Sequence, residues 1–130
     1  MSSSVEHSNH LQLDFDKLSN ISQGERVIPV VVQHAETKSV LILAYVNQKA
    51  LEETLSRKVA VFWSTSRQTL WVKGETSGDY LDLKEVRVNC EQNSLLFLVV
   101  PRQSGACHVK DDKGYTHLTC FYRTLDPSTN

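Results

Sequence analysis

VIPVVVQHAETKSVLILAYV, residues 27–46, sets two β-branched apolar runs on either side of a polar break. VIPVVVQH (27–34) and VLILAYV (40–46) flank AETKS, a loop of about five residues, and read as an antiparallel hairpin. Pro29 has no N–H to give, so the first strand is expected to start irregularly or at an edge. The period then changes. In NQKALEETLSRK (47–58), Asn47 suits an N-cap, Ala50, Leu51, Thr54 and Leu55 share one face, and Arg57 and Lys58 suit a helix C-terminus. VAVFWS (59–64) returns to strand, and LWVKGETSGDY (70–80) holds a strand end and a glycine-bounded loop. YLDLKEVRV (80–88) alternates in part, while SLLFLVV (94–100) is nearly continuous and predicts a strand covered on both faces. HVK, DDKG and YTHLTCFYR (108–123) predict a closing hairpin. The fold class is α+β, mainly antiparallel sheet with one or two helices. Residues 1–10 read as a disordered tail, 11–125 as a single domain and 126–130 as a frayed end. LDFDKLSNISQGE (13–25) carries a weak signal for a short helix or an arm.

With 130 residues, one domain with a real core is the expectation. Fourteen basic and 15 acidic residues are interspersed, for a net charge of −1, and no basic stripe offers a nucleic-acid footprint. No apolar run reaches the roughly 18–20 residues of a membrane span, and MSSSVEHSNH lacks the marks of a secretory signal. A cytoplasmic protein is expected. Three cysteines without a C-x-x-C pair do not make a disulfide framework, because one thiol is left over. Scattered thiols are by default small buried hydrophobes.

Several residues invite chemistry. Cys90 precedes a strand, Cys107 follows one in SGACH, and Cys120 falls in the expected last strand. Catalytic zinc takes three protein ligands, and thiolates are soft ligands suited to it. Spacing alone leaves zinc and buried thiols both open. His108 adjoins Cys107 and reads either as an exposed loop residue or as a general base. His34 and His117 read as surface or hairpin residues. FWSTSRQTLWVKGETSG (62–78) is rich in ligand-binding types: hydroxyls at Ser64, Ser66, Thr76 and Ser77, charge at Arg67 and Lys73, and flat rings at Trp63 and Trp71. Its Gly74–Gly78 loop suits backbone contacts to phosphate; the competing reading is a polar hairpin with core tryptophans. In NCEQN (89–93), an extended chain would set Asn89, Glu91 and Asn93 on one face and Cys90 on the other.

FWS-x-SR, WVKGETSG, a cysteine at a strand end, GACH and a final CF, with VIPVVVQH, VLILAYVN and an ALxxTL helix before them, resemble the phosphoribosyl-AMP cyclohydrolase family of histidine biosynthesis. The resemblance runs from about Val27 to Tyr122. It implies hydrolysis of the N1–C6 bond of N1-phosphoribosyl-AMP, a phosphorylated nucleotide-like substrate, by an intertwined homodimer, with neither nucleic acid nor membrane as a partner. It further implies Zn2+ held by Cys90 of one subunit and Cys107 and Cys120 of the other, with His108 as general base. Ser66, Arg67, Trp71, Lys73, Gly74, Glu75, Thr76 and Ser77 become candidates for the substrate's phosphates, riboses and base.

The family binds Mg2+ through three aspartates in an Asp-Cys-Asp-x-Asp pattern, where this chain has Asn89, Glu91 and Asn93. Three formal charges become one, so weak magnesium binding or none is expected. Thr65 replaces a commonly basic residue, and the Cys107–Cys120 segment is lengthened by a DDKG turn, in which Asp111 and Asp112 are remote substitutes for the missing carboxylates. The alternatives are a zinc hydrolase for another purine-like or related heterocycle and a non-enzymatic zinc-dependent dimeric binding module. No segment resembles the pyrophosphohydrolase domain fused to this family in some organisms, so a monofunctional chain is expected.

Overall fold

The computed structural model describes Leu11, Leu13, residues 24–103 and residues 105–128. The expected tail and most of the 13–25 segment lie outside the described residues. Strands β1 (Ile28–His34) and β2 (Val40–Val46) form the expected hairpin around a five-residue turn. His34, the last residue of β1, holds that turn, its Nδ1 accepting the Glu36 and Thr37 N–H groups at 3.1 and 3.3 Å. Helix α1 (Gln48–Arg57) follows, then β3 (Val61–Ser64), β4 (Thr69–Val72), β5 (Leu81–Val88) and β6 (Leu95–Pro101).

Local chemistry starts and stops the helix where the sequence suggests. Asn47 Oδ1 accepts the Ala50 N–H at 2.8 Å, and Lys58 turns left-handed at φ 62°, its N–H donating to Thr54 O. The four-stranded sheet runs β2-β1-β6-β5, and β3–β4 forms a separate antiparallel ribbon. All pairings are antiparallel except β1 with β6, which is parallel. Pro29 is tolerated near the start of the internal strand β1 because the ladder to β6 begins one residue later, at Val30–Leu95. Ala60 N–H to Leu81 O at 3.0 Å and Leu83 N–H to Lys58 O at 2.9 Å tie the lead into β3 to β5.

One face of the sheet carries Val30, Val32, Phe97 and Val99 into the core, against α1 and the β3–β4 ribbon. Phe62 bridges the layers, 6.2 Å from the Phe97 ring and 5.7 Å from Trp71. The opposite face exposes Val31, Leu43 and Val40 beside half-buried Leu96. The double coverage expected of β6 is therefore only partial within one chain.

The closing hairpin forms, but irregularly. Among the described residues a Lys110–Thr116 bridge is flanked by His117 N–H to Val109 O at 3.0 Å and Asp111 N–H to Tyr115 O at 2.7 Å, around a turn in which Asp111 Oδ1 accepts the Lys113 and Tyr115 N–H groups at 2.9 and 3.0 Å. Beyond it the chain is diverted to the free edge of β2. Cys120 N–H donates to Leu41 O at 2.8 Å, and Thr119 Oγ1 lies 2.8 Å from Val40 O. Cys120 thus lies in irregular chain, not in a strand. No helix among the described residues is long and apolar enough to cross a membrane.

Buried Thr54 joins helix to ribbon: its Oγ1 accepts the Val61 N–H at 3.0 Å and reaches Ala50 O at 2.9 Å. Thr54→Val keeps the shape but strands a buried N–H, so urea unfolding is expected to show a loss of about 1–3 kcal/mol. An unchanged midpoint would contradict this role.

Candidate active site

A cleft of about 610 Å³ opens between the β3–β4 ribbon and the chain that follows β6. That volume suits a nucleotide-sized ligand. Arg67, Trp71, Lys73, Gly74, Glu75, Thr76 and Ser77 line it, as the sequence suggests, with His108 on the opposite wall. Asp79, Gln103, Lys110, Tyr115 and Thr116 also line it. Lys110 was legible as the second residue after Cys-His, but nothing local says that the lengthened segment folds back over the cleft. Ser66 stays in the β3–β4 turn, its Oγ 3.4 Å from Ser64 Oγ and outside the lining.

The loop after β4 depends on Gly74. At φ 92° a side chain there would be strained, and a Cβ would lie 2.3 Å from the Asp79 carbonyl carbon. The close return of the chain places Asp79 O where Lys73 Nζ donates to it at 3.1 Å. Lys73 is buried, which pushes its pKa down, while the charges of Asp79, Cys120 and Cys107 pull it back up. Its ammonium is thus turned toward the thiols and Asp79, and the exposed cations of the cleft are Arg67 and Lys110. Trp71 is half-buried, packing on Phe62 and also bordering the cleft.

Cys107 and Cys120 come together. Gly105 permits this, because a Cβ there would meet His117 O at 2.2 Å, and Cys107 N–H donates to that same oxygen at 3.1 Å. His117 is held by stacking on Tyr122, with ring centroids 3.7 Å apart. A hydrogen bond with Cys120 lowers the pKa of the buried Cys107 thiol from 9.0 to about 6, outweighing burial, which pushes it up. The Val109 N–H, 3.4 Å from Sγ, and the neighbouring His108 and His117 act in the same downward direction. His108 itself is exposed.

Cys90 is elsewhere. It stands exposed on the turn between β5 and β6, beyond the Val88–Leu95 pair. The Cys107–Cys120 pair lies by Lys73 and Asp79, which precede β5 at its other end. Among the described residues no group of three His, Cys, Asp or Glu could hold a metal. Residues 89–93 are not extended either: Gln92 adopts φ 57° and the segment folds into a turn, so the expected alternation of faces does not occur. Asp111 is occupied in its own turn.

Fold and site together define a small α+β protein with a nucleotide-sized basic cleft and a hydrogen-bonded cysteine pair beside it. The family model described as phosphoribosyl-AMP cyclohydrolase matches residues 42–122. A phosphoribosyl-AMP cyclohydrolase of Methanosarcina mazei is 46% identical over 107 residues, covering 82% of this chain and 83% of the relative. One of Chloroherpeton thalassium is 43% identical over 112 residues, 85% of this chain and 75% of the relative. A histidine biosynthesis bifunctional protein of Staphylococcus epidermidis is 41% identical over 85% of this chain and 48% of its own length. The chain belongs to the phosphoribosyl-AMP cyclohydrolase family.

Because the Cys107 pKa is depressed in the fold, its thiolate contributes stability that is complete above the unfolded thiol's range and is lost as pH falls through about 6. Metal-free protein should therefore titrate one thiolate, by far-ultraviolet absorbance, with a midpoint near 6, and should weaken on acidification toward that pH. Cys107→Ser should remove both effects. A midpoint in the ordinary thiol range would contradict the pairing.

Proposed function

We propose that this protein hydrolyses the N1–C6 bond of N1-phosphoribosyl-AMP, opening the six-membered ring in histidine biosynthesis, with zinc held between two copies of the chain. Family membership supports the reaction, and relatives carry that activity and that pathway in their names. The observation that carries the reading is the Cys107–Cys120 pair with His108 beside it, against a cleft rimmed by Arg67 and Lys110.

The donor set fits zinc. Cys107 favours the thiolate near neutral pH and Cys120 lies within hydrogen-bonding distance of it, giving two soft ligands from one chain. The third is Cys90 of a second copy, since this chain's own Cys90 stands on the far turn of the sheet. The exposed apolar face with Val31, Leu43 and Val40 is consistent with burial against that copy. When bound, zinc supplies Lewis acidity that brings the pKa of water toward about 7.

Substitution at N1 weakens the aromatic stabilisation of the substrate ring and leaves C6 electrophilic. Arg67 and Lys110, both exposed at the cleft, receive phosphates, while Thr76 and Ser77 offer hydroxyls to phosphate or ribose. Lys73 acts inward, its positive charge balancing the thiolates. His108 takes a proton from the water whose oxygen bonds to C6, then returns one to N1 as the C6–N1 bond breaks.

Zinc-loaded protein should turn over phosphoribosyl-AMP, followed by ultraviolet absorbance. His108→Ala is expected to lower kcat by about 10²–10⁴-fold, the range for a general acid–base group, with zinc content unchanged. Cys107→Ser is expected to lose zinc and activity together. A folded, zinc-bearing dimer that leaves phosphoribosyl-AMP intact would overturn the reading in favour of another heterocycle.

A further inference from the structure

The turn that joins β5 to β6 is closed by its own amides. Asn89 Oδ1 accepts the N–H groups of Asn93 and Ser94, both at 2.9 Å. Those two donors fix which end of the amide is oxygen, so Nδ2 faces Asn93 Oδ1 and donates to it at 2.7 Å. The backbone closes the same ring, with Asn89 N–H to Ser94 O at 3.2 Å and Gln92 N–H to Asn89 O at 3.0 Å. Both amide oxygens are therefore engaged by donors inside the turn. The one formal charge in residues 89–93 is Glu91, which is exposed. Magnesium wants near-octahedral oxygens with carboxylate charge, and this turn offers one exposed carboxylate beside two amide oxygens already engaged.

We propose that the Asn89–Asn93 clasp positions Cys90 without a divalent cation, in place of the magnesium that the family resemblance implies. This rests on reading Cys90 as the ligand given to a second copy, and it deepens that reading. The chemistry of the pair is specific. Aspartate at 89 would keep both backbone acceptor contacts but would have no donor for residue 93. Aspartates at both positions would set two carboxylate oxygens at the spacing the amides now share, a repulsion that only a proton or a cation relieves. The amide pair and the bound cation are thus alternative ways to close one turn, and here the Asn89 Nδ2–H stands in for the cation. Asn89 and Asn93 are positioning residues, since they act through Cys90.

Manganese titrated into zinc-loaded protein, followed by electron paramagnetic resonance, tests the clasp. The unmodified protein is expected to leave the free-manganese signal undiminished, and N89D/N93D to take up one manganese per chain. In cobalt-substituted protein, the sulfur-to-cobalt charge-transfer band reports whether Cys90 is engaged. That band should ignore magnesium in the unmodified protein, weaken in N89D/N93D, and recover there on adding magnesium, a rescue that simple destabilisation would not give. Manganese uptake by the unmodified protein that Glu91→Gln abolishes would overturn the proposal. So would a double variant that neither binds manganese nor responds to magnesium. If the unmodified protein never develops a three-thiolate band, the shared-site reading fails, while the manganese titration still decides between cation and clasp.

Discussion

The antiparallel ladder of β5 and β6 sets the limits on what one chain can assemble. It runs from Val88–Leu95 at one end to Leu81–Pro101 at the other. Seven residue steps at about 3.3 Å make it roughly 23 Å long. Cys90 is fixed beyond one end, and the Cys107–Cys120 pair lies by Lys73 and Asp79 at the other. A paired strand cannot shorten without breaking its hydrogen bonds, so the three thiols cannot converge within one subunit. The same sheet leaves Val31, Leu43 and Val40 in solvent on its outer face. Both features are what the proposed second copy of the chain would meet.

Around the thiol pair, backbone constraint and charge work together. Gly74 and Gly105 each sit where a Cβ would collide with a returning strand of chain, Asp79 in one case and His117 in the other. Those close returns bring buried Lys73 next to Asp79 O and within electrostatic reach of both thiols. A buried ammonium is costly unless compensated, and the buried Cys107 thiolate is costly for the same reason with the opposite sign. Each offsets the other. Cys120 is pinned from the outside by its hydrogen bond to Leu41 O, which also occupies the open edge of β2.

Much of the fold was legible in the sequence because it is locally encoded. The β1–β2 hairpin, the Asn47 cap and the continuous strand at 95–101 follow from period, turn length and capping chemistry. The parallel pairing of β1 with β6 was not, because residues so far apart carry no shared pattern that names their neighbour. The last segment read as a hairpin around its DDKG turn, and backbone hydrogen bonds do join its two arms, but Thr119 and Cys120 leave that pairing for the edge of β2, which nothing local announces. Most of the cleft residues in 67–77 were found from their types alone. Lys73 was read as a candidate for the substrate's phosphates and riboses, and it does line the cleft, but sequence cannot show that its Nζ also donates to Asp79 O. Asn89–Asn93 was read as extended, and the left-handed Gln92 that makes it a turn had no glycine to announce it. The two amides that looked like remnants of a metal site are used by the turn itself.

The central claim is that each zinc site is built from two chains. Mixing Cys90→Ala protein with Cys107→Ala protein under subunit exchange tests it most directly. Each variant alone should be inactive and short of zinc. In a mixed dimer, one site combines both lesions while the other joins an intact Cys90 to an intact Cys107–Cys120 pair. Zinc binding and turnover should therefore return on mixing. If both variants exchange subunits and neither zinc nor activity returns, the thiols do not act across the interface and the account is wrong.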